Sequence, residues 1–284
     1  MASNILKKIS RERTISAVVI VIVALAAILP GGIILAAVLF IISVIGFLEL
    51  TKACGVREKD NCGQYGKING LEMMGCAVIM CYYAAVYFIQ DTSWWVMVII
   101  MALIAMMFVY VFGFPRFHAS QVMDTYFSLI YAPVMLSFVF LTRQLEHGIY
   151  LVWMIFISSW ISDTFAYLTG VLFGKHKLAP VLSPKKSIEG SLGGIVGAAL
   201  FGAAFGLYME HTVGEENFAV LLAVVGGVGS VISQVGDLAA SAIKRNHEIK
   251  DYGNLIPGHG GIMDRFDSVI FTAPITYFFI MLFR

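Results

Sequence analysis

The chain has 284 residues, of which 59% are hydrophobic and only 13% are charged, and its 19 Lys and Arg nearly balance its 18 Asp and Glu. Soluble domains carry about 25% charged residues, so this composition excludes an ordinary soluble protein and a disordered one. The apolar runs are much longer than the roughly ten-residue strands of a membrane barrel, which leaves an all-α polytopic integral membrane protein. The net charge of +1 points to no partner by itself, and a nucleic-acid partner is not expected.

Nine apolar segments are long enough to cross a bilayer, since a membrane helix needs about 17–25 residues. They lie near residues 14–29, 31–50, 71–89, 94–112, 125–142, 148–173, 190–209, 217–243 and 268–283. Pro30, Gly31 and Gly32 separate the first two segments, which predicts a tight helical hairpin. The basic N-terminus followed by an apolar run also resembles a cleaved secretory signal. A retained first helix is the simpler interpretation, because a second span follows at once.

The distribution of basic residues predicts the topology. With the N-terminus in the cytoplasm, the inside segments hold 17 of the 19 Lys and Arg. Cytoplasmic loops of membrane proteins collect Lys and Arg in this way. The inside segments are residues 1–13, 51–70, 113–124, 174–189 and 244–267.

The chain changes character near residue 150. Residues 1–150 are predicted to form an N-terminal hydrophobic region of about five helices, and residues 151–284 a C-terminal catalytic region. The seventh span contains two pairs of glycines at a spacing of four, Gly193 with Gly197 and Gly202 with Gly206. Small residues at this spacing let membrane helices approach closely, so we expect tight packing there.

Three carboxylates lie inside apolar spans, where ionisable groups are costly and are candidates for function. Glu49 is interpreted as an interfacial residue at the end of the second span. Asp163 is followed by Tyr167 and Gly170 at helical spacing, which predicts a polar and small stripe facing the helix bundle. Asp163 would serve equally well as a buried hydrogen-bonding group that fixes helix packing. The third is Asp237.

The eighth span carries the most informative spacing. Asp237, Ser241, Lys244 and Glu248 are separated by four, three and four residues, which predicts one helix face as the helix reaches the cytoplasmic side. A carboxylate below a hydroxyl and a lysine can hold a metal ion beneath a phosphate.

The segment from Ser241 to Asp267, which we call the signature segment, interleaves basic and acidic residues and contains a glycine-rich run at 257–261. Glycine-rich backbone can present N–H groups to an anion. The loop 174–189 on the same side adds Lys175, Lys177, Ser183, Lys185, Lys186 and Ser187. Carboxylates recruit Mg²⁺, and Lys and Arg bind phosphate oxygens, so the two loops together indicate a site for a metal-bound polyphosphate.

The signature segment reads S-x-x-K-R-x4-K-D-x5-P-x-H-G-G-x-x-D-R-x-D. It resembles the signature of the phosphatidate cytidylyltransferase (CDP-diacylglycerol synthase) family. The stretches 183–190 and 163–167 fit the same family. The resemblance is specific for residues 150–284, whereas the first half agrees only in being hydrophobic and polytopic.

The resemblance implies a reaction of CTP with phosphatidic acid that gives CDP-diacylglycerol and pyrophosphate, using Mg²⁺, at the cytoplasmic face of the plasma or inner membrane. The implied metal ligands are Asp237, Asp251 and Asp264, with Asp267 behind them. The implied phosphate-binding residues are Ser241, Lys244, Arg245, Lys250 and Arg265. Ser183, Lys185 and Lys186 are expected to close over the nucleotide or the lipid headgroup. Asp163 would complete the polar cavity, and His259 would orient pyrophosphate or stabilise a turn.

Two other functions are weighed against this one. An ion-coupled transporter would use Asp163 and Asp237 as an ion path, but it predicts inverted repeats, which the sequence does not show. Another CTP-using lipid enzyme, such as a polyprenol kinase or an ether-lipid cytidylyltransferase, would differ in its products. A homodimer and a second metal ion are left open.

Overall fold

The computed structural model describes residues 18–57, 65–89, 91–214, 216–256 and 260–283. Within them, eight helices are long and apolar enough to span a membrane, and a ninth apolar helix is shorter. In chain order the helices are α1 Val18–Ile28, α2 Gly32–Ala53, α3 Gly70–Phe88, α4 Thr92–Phe112, α5 Ala119–Gln144, α6 Gly148–Phe173, α7 Ile188–Val213, α8 Phe218–Asn246 and α9 Met263–Phe283. The prediction of an all-α polytopic membrane protein is confirmed. The start of the first predicted segment lies outside the described residues, and the cytoplasmic N-terminus stays a prediction.

The predicted break between α1 and α2 is present, whereas the packing of the two helices as a hairpin stays a prediction. Gly31 and Gly32 have φ angles of 65° and 50°, which residues with a Cβ rarely adopt. The helical backbone is therefore interrupted at Gly31, and α2 starts at Gly32.

The chain divides into two compact units that are not contiguous in sequence. The first contains Met1–Ser137 and His247–Arg265, and the second contains Phe138–Asn246 and Phe266–Arg284. The signature segment therefore contributes residues to both units. The predicted division at residue 150, which rests on sequence character, stays a prediction.

In the first unit, α2 and α3 pack closely because Gly75 leaves room for the ring of Phe47, which is fully buried. A Cβ at Gly75 would lie 2.2 Å from that ring. Some polar groups in the interior pair with one another, since lipid offers them no partner. The hydroxyls of Ser43 and Tyr83 are 2.7 Å apart, and the Tyr83 hydroxyl also donates to the carbonyl oxygen of Pro133 at 3.4 Å. Pro133 lies in a π-helical turn of α5.

In the second unit, α7 packs between α6 and α8 through its glycines, which confirms the predicted close approach. A Cβ at Gly193 or Gly197 would lie 2.1 or 2.3 Å from side chains of α6. A Cβ at Gly202 or Gly206 would lie 2.2 or 2.4 Å from backbone oxygens of α8. The position of α8, which carries Asp237, thus depends on small residues in α7.

The loop before α7 contains a two-stranded antiparallel hairpin that the sequence analysis did not predict. Strands β1 (Lys177–Ala179) and β2 (Ser183–Ser187) pair Lys177 with Ser187 and Ala179 with Ser183. Strands of three and five residues are too short to show a hydrophobic alternation. The Ser187 hydroxyl then caps α7 by accepting the Gly190 N–H at 3.1 Å.

Candidate active site

The hairpin brings a lysine to the eighth span. Lys185 and Lys186 are adjacent on β2, so their side chains point to opposite faces of the hairpin. Lys185 is exposed, whereas the Lys186 ammonium contacts the carboxylate of Asp237 on α8. The two side chains are 25% and 30% exposed, so the pair is only partly shielded from solvent. Two residues that the sequence analysis assigned to the site are therefore in contact.

A second carboxylate, Asp267 of α9, lies near Asp237. Gly236 brings the two helices together, since a Cβ there would lie 2.9 Å from the Asp267 carbonyl oxygen. Asp267 is buried and interacts electrostatically with Asp237, Lys244 and Asp163. Its Oδ1 accepts the Ser268 N–H at 2.8 Å. The second unit thus holds a cluster of carboxylates with two lysines, and Asp267 belongs to it more clearly than the sequence suggested.

The stripe predicted on α6 is only partly correct. Gly170 faces α7, where a Cβ would lie 3.1 Å from the Ser187 hydroxyl, but Asp163 and Tyr167 are exposed. The face of α6 that contacts α7 contains Ser162 and Ala166 instead, one residue before the predicted stripe. Asp163 therefore interacts with Asp267 from an exposed position.

In the first unit, the carboxylates of Asp251 and Asp264 both lie close to Gly260. A Cβ on this glycine, whose φ is +85°, would lie 3.3 Å from Asp251 Oδ1 and 2.8 Å from Asp264 Oδ2. Asp264 is buried in the first turn of α9, and its Oδ2 accepts the N–H groups of Tyr252 at 2.8 Å and Gly261 at 3.0 Å. The backbone thus fixes the orientation of Asp264, whereas Asp251 is exposed.

One expectation for the signature segment is wrong, and a second does not hold at Gly261. Glu248 does not continue the helix face of Asp237, because α8 ends at Asn246 and Glu248 has a φ of 55° in the left-handed region. The Gly261 N–H is not presented to a substrate anion, because it donates to Asp264. Gly261 therefore binds a carboxylate of the protein itself, whereas residues 257–259 of the glycine-rich run lie outside the described residues.

The remaining predicted residues lie on α8, at the start of α9, in the segment between these helices, on β2 or outside the described residues. Ser241 and Lys244 are half-buried on α8. The exposed basic residues are Arg245, Lys250 and Arg265, and Ser183 is half-buried at the start of β2. His259 lies outside the described residues. Their roles in binding substrate stay predictions.

Glu49 and Glu72 have contacts that the sequence analysis missed. Glu49 accepts the Met263 N–H at 2.9 Å, so it contacts the signature segment instead of serving only at the interface. Glu72 is fully buried and binds the Arg57 guanidinium through bonds of 2.9–3.1 Å. The pattern Asn69-x-x-Glu72 could have predicted its capping box at the start of α3, but not its partner in another loop.

The aspartates of the two units are suitable ligands for Mg²⁺ that binds together with substrate. Among the described residues, no three His, Cys, Asp or Glu side chains form a ready-made metal cage. Mg²⁺ usually binds through one or two carboxylates together with water and substrate phosphates, so such a cage is not required. Asp237 with Asp267, and Asp251 with Asp264, supply the hard oxygen donors that this ion prefers.

Comparison with protein families matches residues 11–283 to the cytidylyltransferase family. The chain is 35% identical over 269 residues to a phosphatidate cytidylyltransferase of Staphylococcus epidermidis, covering 93% of this chain and 96% of the relative. It is 33% identical over 272 residues to the phosphatidate cytidylyltransferase of Staphylococcus saprophyticus, with the same coverage. The phosphatidate cytidylyltransferase of Staphylococcus aureus is 35% identical over 270 residues, again with 93% and 96% coverage.

Proposed function

The chain belongs to the cytidylyltransferase family, and we propose that it transfers the cytidylyl group of CTP to phosphatidic acid, giving CDP-diacylglycerol and pyrophosphate for phospholipid synthesis. The observation that carries the proposal is the 35% identity to a phosphatidate cytidylyltransferase over 93% of the chain. The family match runs from residue 11 to residue 283, so it includes the β-hairpin and the whole signature segment.

The reaction needs charge neutralisation more than it needs a base. A phosphate oxygen of phosphatidic acid attacks the α-phosphorus of CTP, the bond from that phosphorus to the β-phosphate breaks, and its electron pair leaves with pyrophosphate. A phosphate monoester has a second pKa of about 6, so the attacking group is already largely dianionic at neutral pH. The main barrier is the repulsion between two polyanions that must be aligned.

The lysines of the second unit are suited to that task. The Lys186 ammonium forms an ion pair with Asp237, and Lys244 interacts electrostatically with Asp267 in the same unit. Both residues are half-buried, where their charge is less screened than in bulk water. We assign them to substrate phosphates, together with Ser183, Lys185, Ser241, Arg245, Lys250 and Arg265.

The carboxylates would hold the metal. We assign Asp237 and Asp267 in the second unit, and Asp251 and Asp264 in the first, as candidate Mg²⁺ ligands. When bound, Mg²⁺ supplies neutralisation of the charge on the CTP phosphates and on the leaving pyrophosphate. The N–H groups of Tyr252 and Gly261 donate to the carboxylate of Asp264, restrict its rotation and orient it before substrate binds.

The membrane location follows from the helices and the substrate. A multi-pass protein that uses a phospholipid must present its site near the headgroups. Lys175, Lys177 and the other basic residues of loop 174–189 favour the cytoplasmic side of the plasma membrane, where CTP is available.

The test is the reaction itself, with purified protein in detergent micelles, CTP labelled at the α-phosphorus, phosphatidic acid and Mg²⁺. We expect the label to enter the lipid phase as CDP-diacylglycerol, with an equal amount of pyrophosphate. A polyprenol kinase would leave the α-label in water-soluble CDP, and a transporter would form neither product. Label that stays in the aqueous phase although the protein is folded would rule out the proposed reaction.

A further inference from the structure

Glu49, near the end of α2, reaches the start of α9. Its Oε2 accepts the Met263 N–H at 2.9 Å, across 214 residues of sequence. The first N–H groups of a helix have no partner inside the helix and need an external acceptor. For α9, a side chain from the second span supplies it.

Two glycines of the signature segment make room for this carboxylate. A Cβ at Gly253 would lie 2.2 Å from Glu49 Oε1, and a Cβ at Gly261 would lie 2.4 Å from Glu49 Oε2. Neither glycine has a positive φ, so the backbone conformation alone does not demand glycine at either position. A Cβ at either position would instead have to displace the carboxylate of Glu49, which occupies the space.

The turn that Glu49 holds also orients Asp264. The Gly261 N–H donates to Asp264 Oδ2, and the Met263 N–H, two residues later, donates to Glu49. Consecutive parts of one short turn are thus fixed by two carboxylates. Loss of the bond to Glu49 would free the turn and, with it, the orientation of Asp264.

From these contacts, and resting on the proposed function, we infer that Glu49 is a positioning residue for the cytidylyl transfer. It fixes the turn at residues 261–263 and thereby holds Asp264 in the orientation in which it would bind Mg²⁺. Residues that orient metal ligands through one intermediate contact typically contribute 10–100-fold to metal affinity or activity.

The first test compares Glu49→Ala and Glu49→Gln with wild type, in detergent, by kcat, KM for CTP, the Mg²⁺ concentration at half-maximal rate and Tm. Asp91→Asn is a matched control, because Asp91 caps α4 outside the signature segment and Asn caps helices equally well. We expect Glu49→Ala to lower kcat/KM about 10–100-fold and to raise the Mg²⁺ requirement. Glu49→Gln keeps an oxygen for the Met263 N–H. It should therefore restore at least half of the loss, measured as the change in log kcat/KM.

A purely structural role gives a different result. A smaller folded fraction lowers the apparent kcat and Tm, but it leaves KM for CTP and the Mg²⁺ requirement unchanged. That pattern, or wild-type kinetics in Glu49→Ala, would overturn the inference. Hydrogen exchange of the amides at 261–263, measured without substrate or metal, should be faster in Glu49→Ala than in wild type, and equal rates would also overturn it.

A second variant keeps the inference testable if Glu49→Ala is poorly folded, and a double-mutant cycle applies where both variants fold. Gly261→Ala should displace the flexible end of Glu49 and reproduce its loss of kcat/KM. The double variant should then be no worse than either single variant, because the same contact is lost once. Additive losses would overturn the inference.

Wild-type protein that makes no CDP-diacylglycerol would instead refute the proposed function. An active wild type with unaffected variants would refute only the role of Glu49.

Discussion

Asp237 is in contact with Lys186 and interacts electrostatically with Asp267. We predict that Asp237→Asn lowers kcat by at least about 100-fold, because an amide neither binds Mg²⁺ as strongly nor balances the lysine. Tm should change little, because a partly exposed ion pair contributes only about 0–1 kcal/mol to stability. Steady-state kinetics and thermal unfolding of the purified variant measure the two effects separately.

The control for Asp237→Asn is Glu210→Gln in the same unit. Glu210 accepts the Ala219 N–H at 2.9 Å at the opposite end of α8, and Gln keeps that acceptor. Its kinetics should match wild type. Full activity in Asp237→Asn would remove this residue from the proposed metal site.

Cys54, just after α2, should be an unreactive thiol. Burial raises its pKa from the ordinary 9.0 to about 12, and the nearby Asp124 carboxylate adds to the effect. Because the thiolate is the nucleophile, alkylation at pH 8 should be at least about 30-fold slower than for an ordinary cysteine and should accelerate as the pH rises toward 12. Peptide-resolved mass spectrometry of native and denatured protein tests this. Equal rates in the two states would contradict the burial of this thiol.

The raised pKa of Cys54 also makes the free energy of unfolding depend on pH. A thiol whose pKa is higher in the folded than in the unfolded protein favours folding only while it is protonated. The contribution of Cys54 is therefore complete below pH 9 and decreases as the pH rises between 9 and 12.

At the level of elements, the contact of α7 with α8 depends on glycine at defined positions. A Cβ at Gly226 would lie 2.4 Å from the Ala198 backbone oxygen, whereas one at the adjacent Gly227 would make an ordinary contact of 3.6 Å. We predict that Gly226→Ala destabilises the protein by about 1–3 kcal/mol, because a backbone atom cannot move aside as a side chain can. Thermal unfolding in detergent should show a lower Tm for Gly226→Ala than for Gly227→Ala. The same Tm in both variants would contradict the close packing of these helices.

The spans were predictable because hydropathy and helix length are local properties. The segment predicted at 94–112 is α4, Thr92–Phe112, and the segment at 148–173 is α6 with the same limits. The β-hairpin was not predictable, because its pairing joins Lys177 to Ser187 through hydrogen bonds that leave no periodic pattern. Likewise, the end of α8 before Glu248 was missed, because the helical spacing of polar residues continued beyond the last residue of the helix.

At the level of the whole molecule, the charge distribution predicts the orientation in the membrane. Loop 174–189 should face the cytoplasm, and the acidic loop before α8 should face outward. In a variant lacking the native cysteines, Glu216→Cys should react with a membrane-impermeant maleimide on intact cells. Lys177→Cys should react only after permeabilisation. Labelling of Lys177→Cys on intact cells would place the proposed site on the wrong side of the membrane.

The sequence by itself determined the membrane-spanning helices and the resemblance to cytidylyltransferases, because both depend on residue type and spacing along the chain. It also indicated Asp237, Lys186 and Asp264 as candidates. Only the tertiary structure decided which side chains meet: Lys186 with Asp237 through a hairpin, and Glu49 with Met263 across 214 residues. Such contacts arise when distant segments share one packing arrangement, and a single sequence carries no local pattern that records them.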